Sequence, residues 1–345
     1  MNSVPKTQPL VSIVIPAYNH ENFIEESIAS SLNQTYKNIE LIVVDDSSPD
    51  RTYERAVALI HKLDGQTPSR HKIIRNEQNL GVCKTLNKGL SLASGDYIFV
   101  LFSDNYVHSE CIGSLVAASE QNIQFQGLFI CDFYRVDLDS VIIGSYEPEF
   151  LGDGVLDKDI LLKAIFTVSG EEFMTAPYFM SRESLNKMGG YDENFGCEDF
   201  DFYIRWAVGP GMFRVPKKLY YFRMVPGSLG ARANEYADSL VPAMQKYQDA
   251  LGDSYSDFYL DTQLRTIKAY LGSHLYIHAF SRACEYLRAS RDPRSSIRIM
   301  AFSLSYFAKT VVKTVLPNGL AATLIPEIIV APGKAVFPLK AHLGM

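Results

Sequence analysis

Cysteine is scarce in this sequence. Five residues are scattered over 345, with no CxxC pair. That pattern excludes a disulfide scaffold or a zinc ribbon and fits a reducing compartment. No stretch offers the roughly 18 uninterrupted apolar residues of a membrane-spanning helix. The nearest candidate lies near the end and is broken by Lys and Pro. The opening MNSVPKTQPL lacks the basic stretch and apolar run of a signal peptide. A cytoplasmic protein is therefore expected. No internal repeat and no low-complexity tract is present. Excess positive charge is missing too: the net charge is −6, which excludes nucleic acid as the expected partner.

What is present is the composition of a packed protein, 47% hydrophobic and 21% charged. The length allows two domains, or one large domain with an appendage. The charge is unevenly spread. From Arg282 to the end, nine Lys or Arg face three Asp or Glu, leaving +6 on the tail and −12 on the rest. Such a split suggests an acidic surface as partner of the basic part.

Along the first hundred residues, apolar runs alternate with amphipathic segments. LVSIVI (10–15), ending at Pro16, IELIVV (39–44), HKIIR (71–75) and DYIFVLF (96–102) read as strands, and 20–33, 50–63 and 82–93 as helices. Asp50 is a candidate cap for the second helix. This alternation predicts βαβ units and a mostly parallel sheet. Beyond a mixed middle (123–195), a helix starts near Glu198, and past about 235 the chain becomes helical.

Ligands of such sheets bind beyond the carboxyl ends of the strands. Three polar clusters fall there: Pro16-Ala17-Tyr18-Asn19, Asp45-Asp46-Ser47-Ser48 and Ser103-Asp104-Asn105. Asp45 and Asp46 either cap their turn or hold a base or ribose. Tyr18 is either an edge residue of the core or a stacking face for the same base. Asp104 offers a hard oxygen to Mg²⁺ or Mn²⁺ against a diphosphate. Glu198 and Asp199 open a helix, where acids complement the dipole or one serves as general base. Asp201 is expected to face solvent or to support a metal ligand.

The run VSIVIPAYNHENFIEESIASSLNQTYKNIELIVVDDSSPDRT resembles the opening of the family 2 glycosyltransferases. NLGVCKTLNKGLSLASGDYIFVLFSDN resembles that family's next block, and MSRESLNKMGGYDENFGCEDFDFYIRWA its acceptor-side block. The match covers about residues 10–230, in the right order. It implies an α/β GT-A fold (1–240) with a helical C-terminal region (241–345). It also implies an inverting, non-processive transfer from a nucleotide-sugar donor, UDP-linked by default, to a glycan or lipid-linked acceptor in surface polysaccharide synthesis. By position, Pro16, Ala17, Tyr18, Asn19 and Asp46 (or Asp45) hold the nucleoside. Lys84 reaches the diphosphate, and Ser103 and Asp104 belong to the metal-diphosphate centre with Mn²⁺ or Mg²⁺. Asp199 matches the catalytic base and Glu198 its acidic neighbour.

Two positions depart from the family. Phe102 stands where the DxD motif wants its first acid, and Val225 where a metal-binding histidine is often found. Both changes also suit an alternative reading, a weak or inactive sugar-nucleotide-binding protein. Arg205-Trp206 is not the processive synthases' QxxRW motif, because Phe202 precedes Trp206 by four, and is read as structural. A nucleotidyltransferase would carry a Gly-rich basic loop after the first strand, and PAYNHENF has none. The apolar, basic stretch 297–330 is either an interfacial membrane helix or a helix packed on the protein. In the first case the protein is peripheral on the inner face of the plasma membrane.

Overall fold

The computed structural model describes residues 8–63, 70–166, 177–195, 198–225 and 233–256, with positions 258, 259, 262, 263 and 266. The stretch 297–330 read above lies outside these residues, as does most of the helical region expected past about 235. The chain divides into two compact units, Met1–Ile165 with Glu171–Pro226, and Phe166–Gly170 with Gly227–Met345.

The first unit is built on one ten-stranded sheet. In chain order its strands are β1 (Val11–Ala17), β2 (Ile39–Asp45), β3 (His71–Arg75), β4 (Tyr97–Val100), β5 (Tyr106–Val107), β6 (Leu128–Val136), β7 (Ile142–Tyr146), β8 (Gly154–Val155), β9 (Tyr178–Ser181) and β10 (Met212–Arg223). Its spatial order is β3-β2-β1-β4-β9-β6-β10-β5, with β7 on β6 and β8 on β10. The pairs β1–β2, β2–β3, β1–β4 and β6–β10 are parallel, while β9 is antiparallel to β4 and β6. The expected α/β class and parallel half-sheet are thus present.

Strands β1 and β2 are buried along their whole length, as both-face burial requires of an apolar run. Val11, Ile13 and Ile15 pack with α1 (Ile24–Leu32), α2 (Thr52–Lys62) and α4 (Cys111–Gln121) through Ile24, Ile28, Ala56, Ile60, Ile112 and Leu115. Helix α3 (Val82–Leu92) lies on β1 and β2 by its Gly89, where a Cβ would come within 2.5 Å of Val14 Cγ1. Only a residue without a side chain permits that approach.

Pro16 does not end β1, which continues to Ala17 with Pro16 opposite Val44. The pairing with β4 stops at Val14. A proline beyond that point forfeits no ladder bond. Asp50 is not the cap of α2, which is Arg51 with no side-chain cap bond; Asp50 lies one position earlier, and its Oδ1 accepts from Thr52 N (3.0 Å) and Thr52 Oγ1 (2.5 Å).

In the second unit, α8 (Ala233–Lys246) and α9 (Gln248–Leu251) bury Leu240, Val241, Met244 and Leu251. Phe258 stacks on Phe166 at 4.7 Å. Among the described residues no helix is long and apolar enough to cross a membrane.

Candidate active site

Parallel register brings the three polar clusters to one end of the sheet. Ala17 lies opposite Asp45, and Asp45 opposite Arg75. Asp46 N donates to Ala17 O (2.8 Å), so the two strand ends are tied. Asp45 is 1% exposed; its carboxylate accepts from Ser48 N (3.0 Å) and Ser48 Oγ (2.5 Å) and lies 3.4 Å from Arg75 Nε. Burial nonetheless raises its pKa above the ordinary range. Asp46 reaches the other way: it accepts from Asn76 Nδ2 (2.7 Å), Leu80 N (2.8 Å) and Gly81 N (2.9 Å), which pins the turn before α3. Both carboxylates are therefore occupied by donors of their own chain and shape the loops around the strand ends. Pro16 and Ala17 are buried, whereas Tyr18 is 39% exposed. Asn19 adopts φ 57° and donates its N–H to Ser48 Oγ (3.1 Å). Such a left-handed step is one that Asn tolerates. Lys84 is exposed on the first turn of α3.

Beyond β4 the chain turns through Phe102-Ser103-Asp104-Asn105, with Asn105 N on Phe102 O (3.0 Å). Ser103 is buried, and its Oγ lies 2.8 Å from His20 Nδ1. His20 Nε2 stands 3.9 Å from Asp104 Oδ2. The Asp104 carboxyl has a raised pKa because burial outweighs the opposing pull of His20 and Arg223. Arg223, the last residue of β10 and 2% exposed, fixes this turn from behind. Its Nε donates to Asp104 O (2.9 Å) and its N–H to Asn105 Oδ1 (2.8 Å). Its Nη1 binds the carbonyls of Asp137 (2.9 Å) and Leu138 (3.0 Å), and its Nη2 binds Glu26 and Ser140 Oγ. The guanidinium also lies over the rings of Phe23 (4.8 Å) and Tyr106 (5.5 Å).

Helix α7 (Asp199–Val208) opens on the paired acids. Tyr178, at the start of β9 and 1% exposed, donates its hydroxyl to Asp199 Oδ1. Its ring is wedged by Phe102 (6.5 Å, edge-on), Phe202 (5.2 Å) and Tyr203 (5.2 Å). Burial raises the Asp199 pKa to about 7, with the Tyr178 hydrogen bond opposing it. Glu198 is 8% exposed, and its Oε2 has no hydrogen-bond partner among the described residues. Its pKa is pushed well up, first by burial, then by the charges of Asp199 and Asp104. Burial thus pushes both carboxyls toward their protonated forms, and Asp199, at about 7, lies where a side chain can exchange a proton near neutral pH.

Asp201 does not face solvent, the first of the two places expected for it. It is 2% exposed and faces inward, because Arg205 one turn on takes its charge at 3.3 Å. Arg205 and Trp206 are structural as read: Arg205 Nη1 holds Met188 O (2.7 Å), and Trp206 is fully buried. Phe102 occupies its position as a packing partner of Tyr178. His20, Tyr178 and Arg223 were not singled out by sequence reasoning. His20 carried a signal, being the residue after PAYN at a strand end. Tyr178 carried none, since an aromatic on a buried strand reads as core.

Residues 12–148 match the model of Glycosyl transferase family 2. An uncharacterized glycosyltransferase of Haemophilus influenzae is 43% identical over 137 residues, 40% of this chain and 41% of its own length. The Escherichia coli UDP-Glc:alpha-D-GlcNAc-diphosphoundecaprenol beta-1,3-glucosyltransferase WfaP is 37% identical over 137 residues, 40% of this chain and 51% of that protein. The match with these relatives therefore spans only about half their length or less. Among solved structures, S. aureus TarS in complex with UDP-GlcNAc superposes with TM-score 0.56 at 17% identity, over 92% of this chain and 85% of that one. The mannosyltransferase PcManGT of Pyrobaculum calidifontis, in complex with GDP-Man and Mn²⁺, superposes with TM-score 0.53 at 17% identity, over 93% and 88%. These likenesses establish the fold as GT-A.

Proposed function

We propose that the chain, whose residues 12–148 match the model of Glycosyl transferase family 2, is an inverting, non-processive transferase of that family. It takes a sugar from a nucleoside-diphosphate donor, UDP-linked, to a glycan or lipid-linked acceptor in surface polysaccharide synthesis. One observation carries this reading: a buried Glu198–Asp199 pair, with Asp199 titrating near 7, lies within electrostatic reach of Asp104 at a strand's carboxyl end. On this reading the base lies beside the site that takes the departing anion.

Asp199 Oδ takes the proton of the acceptor hydroxyl as its oxygen attacks the anomeric carbon. The bond from that carbon to the diphosphate oxygen breaks, its electron pair leaves with the nucleotide, and the configuration inverts. Tyr18 offers its exposed ring to the base, and Pro16, Ala17, Asn19, Asp45 and Asp46 form the floor and loops beneath it. Lys84, Ser103 and Asp104 face the diphosphate. One carboxylate and neighbouring hydroxyl fit a hard divalent cation, Mn²⁺ or Mg²⁺, that takes its other ligands from phosphate and water. When bound, such a cation stabilises charge on the departing diphosphate. WfaP, named for UDP-Glc and a diphosphoundecaprenol acceptor, supports the donor and acceptor classes.

The test is a melting screen of UDP- and GDP-sugars with and without Mn²⁺, followed by turnover of the hits. A ligand at a hundred times its Kd stabilises the native state by about 2.7 kcal/mol. UDP-sugars are expected to raise the melting temperature and to turn over. Binding without turnover toward any lipid-linked or free glycan acceptor establishes the rival, a nucleotide-sugar-binding protein. We further propose that the basic region after Arg282, +6 in charge, contacts anionic membrane. Full-length protein should co-sediment with anionic vesicles and a form ending at 290 should not. Equal partition removes the membrane contact.

A further inference from the structure

His20 is held as a ligand would be. Its backbone is fixed on both sides: its N–H donates to Thr52 Oγ1 (2.8 Å), and its carbonyl accepts from Phe23 N and Ile24 N (both 3.0 Å). The ring edge rests on Phe23 at 6.1 Å, and Nδ1 is bonded to Ser103 Oγ at 2.8 Å. With the Nδ1 proton given to that hydroxyl, Nε2 keeps its lone pair and turns it toward Asp104. A hydrogen bond to one ring nitrogen fixes the other as ligand in this manner.

The spacing is informative. His20 Nε2 and Asp104 Oδ2 are 3.9 Å apart, too far for a hydrogen bond. Two donors on one octahedral cation with bonds of about 2.1 Å are about 3.0 Å apart when adjacent and about 4.2 Å when opposite. The observed separation falls between these limits. No group of three or more His, Cys, Asp or Glu side chains able to hold a metal occurs among the described residues. With two such donors among the described residues, a cation here takes further ligands from substrate phosphate and water, as Mg²⁺ and its like do on nucleotides.

We propose that His20 and Asp104 are the two protein donors to a divalent cation whose coordination the nucleoside diphosphate completes. The assignment rests on the glycosyltransferase reading above. It makes Ser103 a positioning residue that orients the imidazole. Replacing imidazole nitrogen with a hard oxygen should move the preference from Mn²⁺ toward Mg²⁺.

The experiment measures Mn²⁺ binding by electron paramagnetic resonance, with and without UDP, for wild type, His20→Ala, His20→Gln, His20→Asp and Ser103→Ala. Wild type with UDP should show nitrogen modulation of the bound Mn²⁺ signal. His20→Ala and His20→Gln should lose that modulation and weaken Mn²⁺ binding about tenfold or more. Ser103→Ala should weaken it less, and His20→Asp should bind with Mg²⁺ gaining on Mn²⁺. Melting of the metal-free variants checks that each is folded, and His20→Gln serves if His20→Ala is not. Unchanged Mn²⁺ affinity and modulation in a folded His20 variant overturns the assignment while the transferase reading stands. So does an equal loss of UDP affinity with and without metal, which makes His20 a direct diphosphate contact. A wild type that binds neither UDP nor GDP under any condition overturns both.

Discussion

Asp199→Asn should lower the transfer rate by about 10²- to 10⁴-fold, the usual contribution of a positioned general base. The amide keeps the shape and still accepts from Tyr178, so donor affinity should be unchanged and the loss should fall on kcat. In wild type, kcat/KM should rise through about pH 7 as Asp199 ionises, and the asparagine variant should lose that limb. Tyr178→Phe removes the one side-chain donor that favours the charged carboxylate. A hydrogen bond to a charged group is worth about 1.5–3 kcal/mol, so the limb should move up by about one pH unit or more. Glu198→Gln keeps the size of a side chain that burial already pushes toward its protonated form, and should cost less than about tenfold. If Glu198→Gln is the inactive variant and Asp199→Asn retains its rate, the roles assigned to the pair are reversed.

The same substitution should act oppositely on stability. An unfolded Asp ionises from about pH 4, whereas native Asp199 holds its proton to about 7. The native state therefore binds more protons across that interval and loses stability as pH rises through it. Asp199→Asn, without charge at any pH, should melt higher than wild type at pH 8, with the gain gone near pH 4. A melting difference that does not vary with pH would show that Asp199 is not buried at this cost.

Much of this arrangement was legible in the sequence, for a definite physical reason. Strands β1 and β2 are buried on both faces, so each appears as an unbroken apolar run whose end is marked by sudden polarity. That is why the three clusters at Tyr18, Asp46 and Asp104 stood out. The helix read over 20–33 is shorter, Ile24–Leu32, because the His20 carbonyl closes a turn with Phe23 and Ile24 instead. His20, given up at its start, is the residue that reaches Ser103 and Asp104. Helix α4 and strand β5 were not read. Strand β5 is two residues long, and its partner β10 lies more than a hundred positions away. The same distance hides function. Arg223 meets Asp104 across 119 positions, and Tyr178 meets Asp199 from a separate strand. No local spacing reports such pairs. Asp201 turns inward because Arg205, four residues on, neutralises it, a pairing that helical spacing permits without requiring.

Arg223→Ala should be the most damaging single change outside the acidic pair. The guanidinium satisfies the carbonyls of Asp104, Asp137 and Leu138 together with Ser140 Oγ and the Glu26 carboxylate. Deleting it leaves several acceptors without donors in a region where Arg223 itself is 2% exposed. Stranding one buried hydrogen-bonding group costs about 1–3 kcal/mol, and Glu26, which is 42% exposed, recovers solvation and adds little. A loss of about 3 kcal/mol or more is expected, measured as a drop in the urea midpoint with unchanged slope. Arg223→Lys keeps the charge but offers one nitrogen where three are used, so it should recover less than half of that loss. In the folded fraction of either variant the Asp104 turn is no longer tied to β10, and UDP affinity in the presence of Mn²⁺ should fall. A lysine variant as stable as wild type with full nucleotide affinity would mean that the turn at Asp104 holds its shape without Arg223.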